Sequence, residues 1–238
     1  MVDNGEERKL LHNLAVDCVI FGFHKTDINL LLIRRTDHVI TDKWALPGAL
    51  IYEDEGLEEA AARILFDMSG VRDIYLDQVK AFGSLDRSPG RIISIAYYAL
   101  VDVQKYKLKP KKSANIKQAK WFKVTELPEL PYDHKEIAFT ALMELKRRFR
   151  YEPLGYELLP EKFTFLQLQQ LYEAIYEVKL DKGNFRRKMQ GIGHLVELDE
   201  SVENKQNRKA KLFKFDFNFY QELLERGIYI DIAPKNGK

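Results

Sequence analysis

Residues 46–71, LPGALIYEDEGLEEAAARILFDMSGV, constrain the fold more than any other stretch of the chain. A loop built on Pro47 and Gly48 enters a segment in which Leu57, Ala60, Ala61, Ile64, Leu65, Met68 and Val71 recur at helical spacing, and Ser69-Gly70 supplies the stop. Such a loop-helix-loop has the rhythm of a site that holds a divalent metal with a row of carboxylates. Positions i, i+3 and i+4 share one helix face. Acidic residues at 64, 67 and 68 would therefore converge on a hard cation, which takes oxygen ligands and polarises a diphosphate for attack by water. Those positions read Ile64, Asp67 and Met68. Asp67 with Glu55 leaves a pair of oxygens, which would hold Mg²⁺ weakly and cannot build a two-metal site. A displaced cluster on Glu58 and Glu59 is opposed by helical geometry, since 59 lies one turn before Arg63 and 58 lies off the 64/68 face. Two readings stay open: the helix walls a binding pocket without chemistry, or Ile64 and Met68 simply join the core. The expectation is no catalytic residue, no metal, no cofactor and no enzyme.

Strands and helices surround this segment. LAVDCVIFGF (14–23) and INLLLIR (28–34) read as two strands joined by the turn-prone HKTD. VKAFGSL and RIISIAYYALVDV follow as strands with DRSPG as the turn between them, and QAKWFKV is a short strand. DHKEIAFTALMELKRRFR is an amphipathic helix on Ile137, Ala141 and Leu145, with a basic last turn that suits the helix dipole. Residues 151–163, YEPLGYELLPEKF, break the pattern with two prolines and a glycine, which places a junction there. The expected domains are 1–150 and 151–238. Beyond the junction, TFLQLQQLYEAIY is helical with Thr164 as N-cap and Phe165, Leu168, Leu171, Tyr172 and Ile175 inward. Asp181 caps a second helix, KGNFRRKMQG, with Phe185 and Met189 on its inner side. HLVEL and KLFKFDF form a hairpin around the polar loop DESVENKQNRKA. Two helices on a short turn followed by a basic hairpin make a winged helix-turn-helix.

Composition narrows the class. A hydrophobic fraction of 45% with 12% aromatics supports packed cores in 238 residues. No apolar run reaches the roughly 20 residues of a membrane span, and the polar N-terminal MVDNGEERKLLHN fits no signal or transit peptide. Cys18, alone in an apolar run, reads as a small buried hydrophobe of a reduced cytoplasmic protein. Residues 179–214 carry ten Lys or Arg against five Asp or Glu, a local charge near +5 that points to phosphate partners. On the second helix Lys182, Asn184, Arg186, Arg187 and Lys188 surround buried Phe185 and Met189. Arg and Asn reach base edges, Lys meets phosphate, and Lys205, Arg208, Lys209 and Lys211 suit a wing along the backbone. The plain alternative is a solvated charged face.

Candidates for small-molecule binding lie in the first domain. In AFGSLDRSPGRIISIAYYALV (81–101), Asp86, Arg87 and Arg91 flank a tight Ser-Pro-Gly turn. Alternation puts Ile93, Ile95 and Tyr97 on one face and Ser94, Ala96 and Tyr98 on the other. Trp44 is a core plug or a wall on which a sugar or base stacks. Arg34 and Arg35 end the second strand, where one can pair on the surface and the other can reach a pocket. The ligand set read from these is Arg34, Arg35, Trp44, Asp86, Arg91, Ser94 and Tyr97.

Residues 46–71 resemble the Nudix signature G-x5-E-x7-R-E-U-x-E-E-x-G-U, where U is aliphatic. Ala49 stands at its first glycine, Glu55 at its first glutamate and Arg63 at its arginine, and Leu65, Gly70 and Val71 fit the rest. Residues 81–101 resemble the strand-turn-strand of the branch that handles ADP-ribose and of its regulatory relatives. With FTFLQLQQLYEAIYEVKLDKGNFRRKM, the resemblance extends from about 14 to 216 and is to Nudix-related, NrtR-like transcriptional regulators. It implies an α+β chain, with an N-terminal Nudix-like mixed-sheet sandwich domain and a C-terminal winged helix-turn-helix. It further implies a regulator that binds palindromic operator DNA as a homodimer, the Nudix-like domain sensing an effector and supplying the dimer interface. Aliphatic 64 and 68 with AYYAL look more like the sugar-responsive branch, so the expected effector is a pentose such as arabinose or xylose. An ADP-ribose-like nucleotide is the alternative, kept open by Arg34, Arg35 and Arg91. An active pyrophosphohydrolase with a DNA-binding appendage is the enzymatic rival.

Overall fold

The computed structural model describes residues 8–36, 42–152, 154–203, 209–227 and 231. The chain divides into two compact units. One comprises 1–22, 29–101 and 106–142, and the other 23–28, 102–105 and 143–238. The division falls inside a helix, β-strands aside, rather than within residues 151–163.

The first unit is built on a seven-stranded sheet. Its strands are β1 (Leu10–His24), β2 (Asp27–Arg35), β3 (Trp44–Ala45), β4 (Gly48–Tyr52), β5 (Leu76–Phe82), β6 (Ile93–Asp102) and β7 (Ile116–Lys123). The order is β3-β2-β1-β6-β5, with β4 paired to β1 and β7 to β2. β1 is buried without a break from Val16 to Phe23, so it reads as an apolar run rather than an alternating one. Its exception is Asp17, also buried. Helix α1 (Leu57–Ser69) packs on β4 and β7. It begins where the Glu59 carboxylate accepts the Gly56 N–H (3.0 Å), and ends at Gly70 in the left-handed region (φ 80°), whose N–H bonds the Phe66 carbonyl. Ile64, Leu65 and Met68 enter one core cluster with Val16, Ile20, Ile33, Ile95 and Tyr97. Burying a side chain such as Ile64 is worth about 2–3 kcal/mol. Helix α2 (His134–Phe149) follows β7 and carries the chain from one unit into the other.

The second unit contains α3 (Gly155–Leu158), β8 (Phe163–Thr164), α4 (Phe165–Tyr176), α5 (Lys182–Ile192), β9 (Leu195–Glu203), β10 (Lys209–Phe215) and α6 (Phe217–Glu225). Its antiparallel sheet runs β8-β10-β9. Thr164 and Gln167 form a capping box on α4, and the Asp181 carboxylate accepts the Asn184 N–H (2.8 Å) to cap α5. Aromatic rings fill the core: Phe165 lies 5.7 Å from Phe185 and 5.6 Å from Phe213, and Tyr172 lies 5.4 Å from Phe185. The arrangement is a winged helix.

Two elements differ from the sequence expectation. β9 extends through Glu203, into residues read as polar loop, because Ser201, Val202 and Glu203 pair with Lys211, Ala210 and Lys209. Both faces of this wing are wet, so no apolar alternation marks it. Residues 151–163, read as a junction, contain α3 and lead into β8. Among the described residues, no helix is long and apolar enough to cross a membrane.

Candidate ligand cavity and nucleic-acid interface

A cavity of about 640 Å³ opens between α1, β4, the 87–92 loop and the start of α2. Its volume falls within the ~300–1,000 Å³ usual for small-molecule sites. Ile64, Asp67 and Met68 of α1 line it, with Asp17, Arg35, Arg63, Arg87, Asn115, Tyr132 and His134. A wider cleft of about 1220 Å³ shares Arg87, Ser88, Pro89 and Tyr132 with it, and is lined by exposed Asp86 and Phe139. The smaller cavity is the candidate ligand site, because the chemically informative face of α1 points into it.

Its floor is a buried ionic network. Arg87 donates through Nε and Nη2 to both oxygens of Asp133 (2.7 and 2.8 Å) and through Nη1 to the Ile92 carbonyl (3.1 Å). Its Nη2 also lies 3.5 Å from Asp17 Oδ2, which accepts the Ser94 hydroxyl at 2.6 Å. His134 Nδ1 accepts the Leu46 N–H (3.0 Å), so the ring proton sits on Nε2, 3.9 Å from Asp17 Oδ1. Gly48 faces Asp17 across the β1–β4 pairing, and a Cβ there would fall 2.1 Å from Asp17 Oδ1. Only glycine admits the carboxylate.

A second pair stands on the wall. Glu55 accepts Arg63 Nε (2.8 Å) and Nη2 (2.5 Å) as well as the Tyr52 N–H (2.9 Å). Burial raises the Glu55 pKa, but these hydrogen bonds and the charges of Arg63 and Arg8 outweigh it and hold the carboxyl below its ordinary value. Arg63 also stacks on Tyr52, 4.5 Å from the ring centre, and donates to the Leu50 carbonyl (3.1 Å).

These residues do not fit a divalent-metal cluster. Ile64 and Met68 are apolar and buried, and Glu55 is closed in its pair with Arg63. Asp67 is ion-paired with Lys111 at 2.5 Å. Among the described residues no group of three His, Cys, Asp or Glu could hold a metal ion. Glu58 and Glu59 have other partners: Glu58 accepts the Tyr97 hydroxyl (3.2 Å) and Glu59 caps α1.

Of the residues selected from sequence, Arg35 lines the cavity and donates to the Gly48 carbonyl (3.0 Å). Ser94 lies beneath it, anchoring Asp17. The rest stand elsewhere. Strand alternation sends Arg34 to the opposite face from Arg35, where its guanidinium stacks on Trp44 (4.8 Å). Trp44 is edge-on to Phe122 (4.9 Å), so it closes the sheet rather than the cavity. Asp86 is exposed in the wider cleft, and Arg91, at φ 56°, donates to the Gly83 carbonyl (2.8 Å) within its own loop. Tyr97 is turned into the core against α1, and burial with the nearby Glu58 charge pushes its hydroxyl up to about 12. Sequence reasoning placed Arg87 beside the turn but left it out of the ligand set, and it passed over Asp17 and His134. One signal was available: Asp17 is a lone charge inside an apolar strand, and a buried carboxylate requires a partner.

On the second unit, α5 presents Lys182, Asn184 and Arg187 to solvent, with the Asn184 side-chain oxygen accepting from Arg187. Arg186 and Lys188 are half-buried. Arg186 lies over Phe165 (5.2 Å) and Phe213 (5.9 Å), so the core rings orient its guanidinium. Lys209 and Lys211 are exposed on β10, Lys211 paired with Glu197. Lys205 and Arg208 lie outside the described residues.

Fold and cavity together define a Nudix-type domain joined in one chain to a winged helix. The NUDIX domain family matches residues 11–143, and the NrtR DNA-binding winged helix domain family matches residues 155–215. The chain belongs to the NrtR-like family, which combines these two domains. It is 32% identical over 215 residues to the ADPR responsive transcriptional repressor NtrR of Acinetobacter baylyi, covering 87% of this chain and 85% of that one. It is 33% identical over 125 residues to an ADP-ribose pyrophosphatase of Methanocaldococcus jannaschii, covering 52% and 69%. The structure of Shewanella oneidensis NrtR complexed with a 27mer DNA superposes with a TM-score of 0.75 at 24% identity, covering 91% of this chain and 97% of that one, a likeness of fold. The NUDIX domain of the same protein complexed with ADP ribose superposes with a TM-score of 0.50 at 28% identity, covering 61% and 94%.

Proposed function

We propose that this protein is a transcriptional repressor whose Nudix domain binds ADP-ribose without hydrolysing it and thereby alters operator binding by the winged helix. The observation that carries the reading is the face of α1. It lines an arginine-bearing cavity of about 640 Å³, while two of its three metal-ligand positions are Ile64 and Met68, both buried. A cavity with Arg35, Arg63 and Arg87 suits an anionic, elongated ligand. The pentose expectation lacks such support: an uncharged sugar calls for no arginines, and the relatives reported above, regulator and enzyme, are named for ADP-ribose.

α5 would enter the major groove with Asn184 and Arg187 toward base edges, while Lys182, Lys209 and Lys211 meet phosphate. One winged helix is a small footprint, so a homodimer on a palindrome is the economical arrangement. Contact with operator DNA would place the protein in the cytoplasm. Ligand acts by binding two arrangements of the dimer unequally.

The test is a thermal-shift panel of ADP-ribose, NAD, arabinose and xylose, with a parallel assay of AMP release in Mg²⁺. At about 100 times its Kd a ligand adds roughly 2.7 kcal/mol, a rise of several degrees. ADP-ribose should produce that shift and no AMP. A shift with arabinose alone, or steady AMP release abolished by Asp67→Ala, would refute the reading.

A further inference from the structure

Residues 106–125 contain seven lysines and no Asp or Glu, which makes this segment a local source of positive potential, and its Ala114 and Asn115 line the cavity. Residues 109–111 strap the last turn of α1. The Lys109 N–H donates to the Ser69 carbonyl and the Lys111 N–H to the Asp67 carbonyl, both at 2.8 Å. The strap thereby satisfies two of the carbonyls that a helix end leaves open. It also fixes Lys111 over Asp67: Lys111 Nζ stands 2.5 Å from Asp67 Oδ1 and 4.8 Å from the centre of the Phe66 ring. Asp67 lines the cavity, as do Ala114 and Asn115 just beyond the strap. The Lys111 side chain remains about half exposed (48%).

We propose that the Lys111 ammonium serves in this cavity as the counter-cation for a diphosphate, bridging Asp67 to phosphate oxygens in place of a divalent metal. This rests on the diphosphate ligand argued under Proposed function. An ammonium has three donors, so its ion pair with Asp67 leaves donors for phosphate. The charge balance agrees. Three helix carboxylates need multivalent cations, whereas the one that survives here is matched by a single lysine. Ile64 and Met68 remove negative charge that a lysine could not neutralise. Of the other cations of the wall, Arg63 is engaged by Glu55 and Arg87 by Asp133 in close bidentate pairs, and Arg35 donates to the Gly48 carbonyl. The Lys111 end of the pair is half exposed, although Asp67 is only 24% exposed, so the ammonium can turn toward a ligand without leaving solvent.

Calorimetric titration of ADP-ribose into the full-length protein tests this, in Mg²⁺ and in EDTA, with Lys111→Gln and Lys111→Arg beside the wild type. Wild-type affinity should be the same in both buffers. Lys111→Gln should weaken binding on the order of tenfold, as expected for losing a charge-assisted contact, and Lys111→Arg should retain most of it. Unliganded melting temperatures should match across the three proteins, which separates binding from folding. Raising KCl should weaken the wild type more steeply than Lys111→Gln. Wild-type affinity in Lys111→Gln, or binding lost in EDTA and restored by Mg²⁺, overturns the role of Lys111 while leaving the ligand reading intact. Absence of ADP-ribose binding by the wild type in both buffers overturns both.

Discussion

At the scale of single residues, α1 shows how a metal-binding pattern becomes a wall. Ile64 has no exposed surface and Met68 almost none. Restoring a carboxylate with Ile64→Glu would bury a charge without a partner in an apolar cluster. It should therefore cost 3 kcal/mol or more in urea unfolding, while Met68→Leu, which conserves volume, should cost under about 1.5 kcal/mol. Equal midpoints for the two variants would contradict the packing. His194 offers a different residue-scale test. It is buried against Phe215 (5.8 Å), neither ring nitrogen has a partner among the described residues, and burial lowers its pKa to about 4. A histidine normally titrates near 6.5, so the unfolded chain takes up a proton that the folded unit refuses. Stability is then present above pH 6.5 and lost as pH falls toward 4, by about 3 kcal/mol in all. Urea midpoints followed from pH 7.5 to 4.5 should fall in the wild type more than in His194→Phe; parallel curves would remove His194 as the cause.

At the scale of elements, the sequence was most legible where the signal is local. The spacing from Leu57 to Val71, the Ser69-Gly70 stop, the Thr164 N-cap and the Asp181 cap each marked an element that the structure contains. The cavity was less legible because its partners are distant in sequence. Arg87 and Asp133 are 46 residues apart, and Asp17 and Ser94 are 77 apart. Periodicity sorts a strand's two faces but does not say which face meets a cavity, and so Arg34, Trp44 and Tyr97 were misplaced. Helix α5 carries its own prediction. Arg187→Ala should cost about 1–3 kcal/mol on operator DNA and flatten discrimination against mismatched sites. Lys182→Ala should weaken all sequences alike and lower the salt slope by about 1. Fluorescence anisotropy over a salt series distinguishes them, and identical behaviour of the two variants would mean that α5 does not read bases.

At the scale of the whole molecule, the proposed function couples ligand binding in one unit to DNA recognition in the other. Linkage makes that joining reciprocal: if ADP-ribose changes operator affinity, operator DNA must change ADP-ribose affinity by the same factor. Neither unit needs catalysis for this, and the engaged states of Glu55 and Asp67 leave the cavity suited to holding its ligand. The most direct measurement is operator binding by the full-length protein at one fixed salt concentration, with and without saturating ADP-ribose. Operator affinity should change by roughly 5–150-fold, the range of ordinary allosteric coupling, with no consumption of the ligand during the titration. Unchanged operator affinity at saturation would contradict the proposed function.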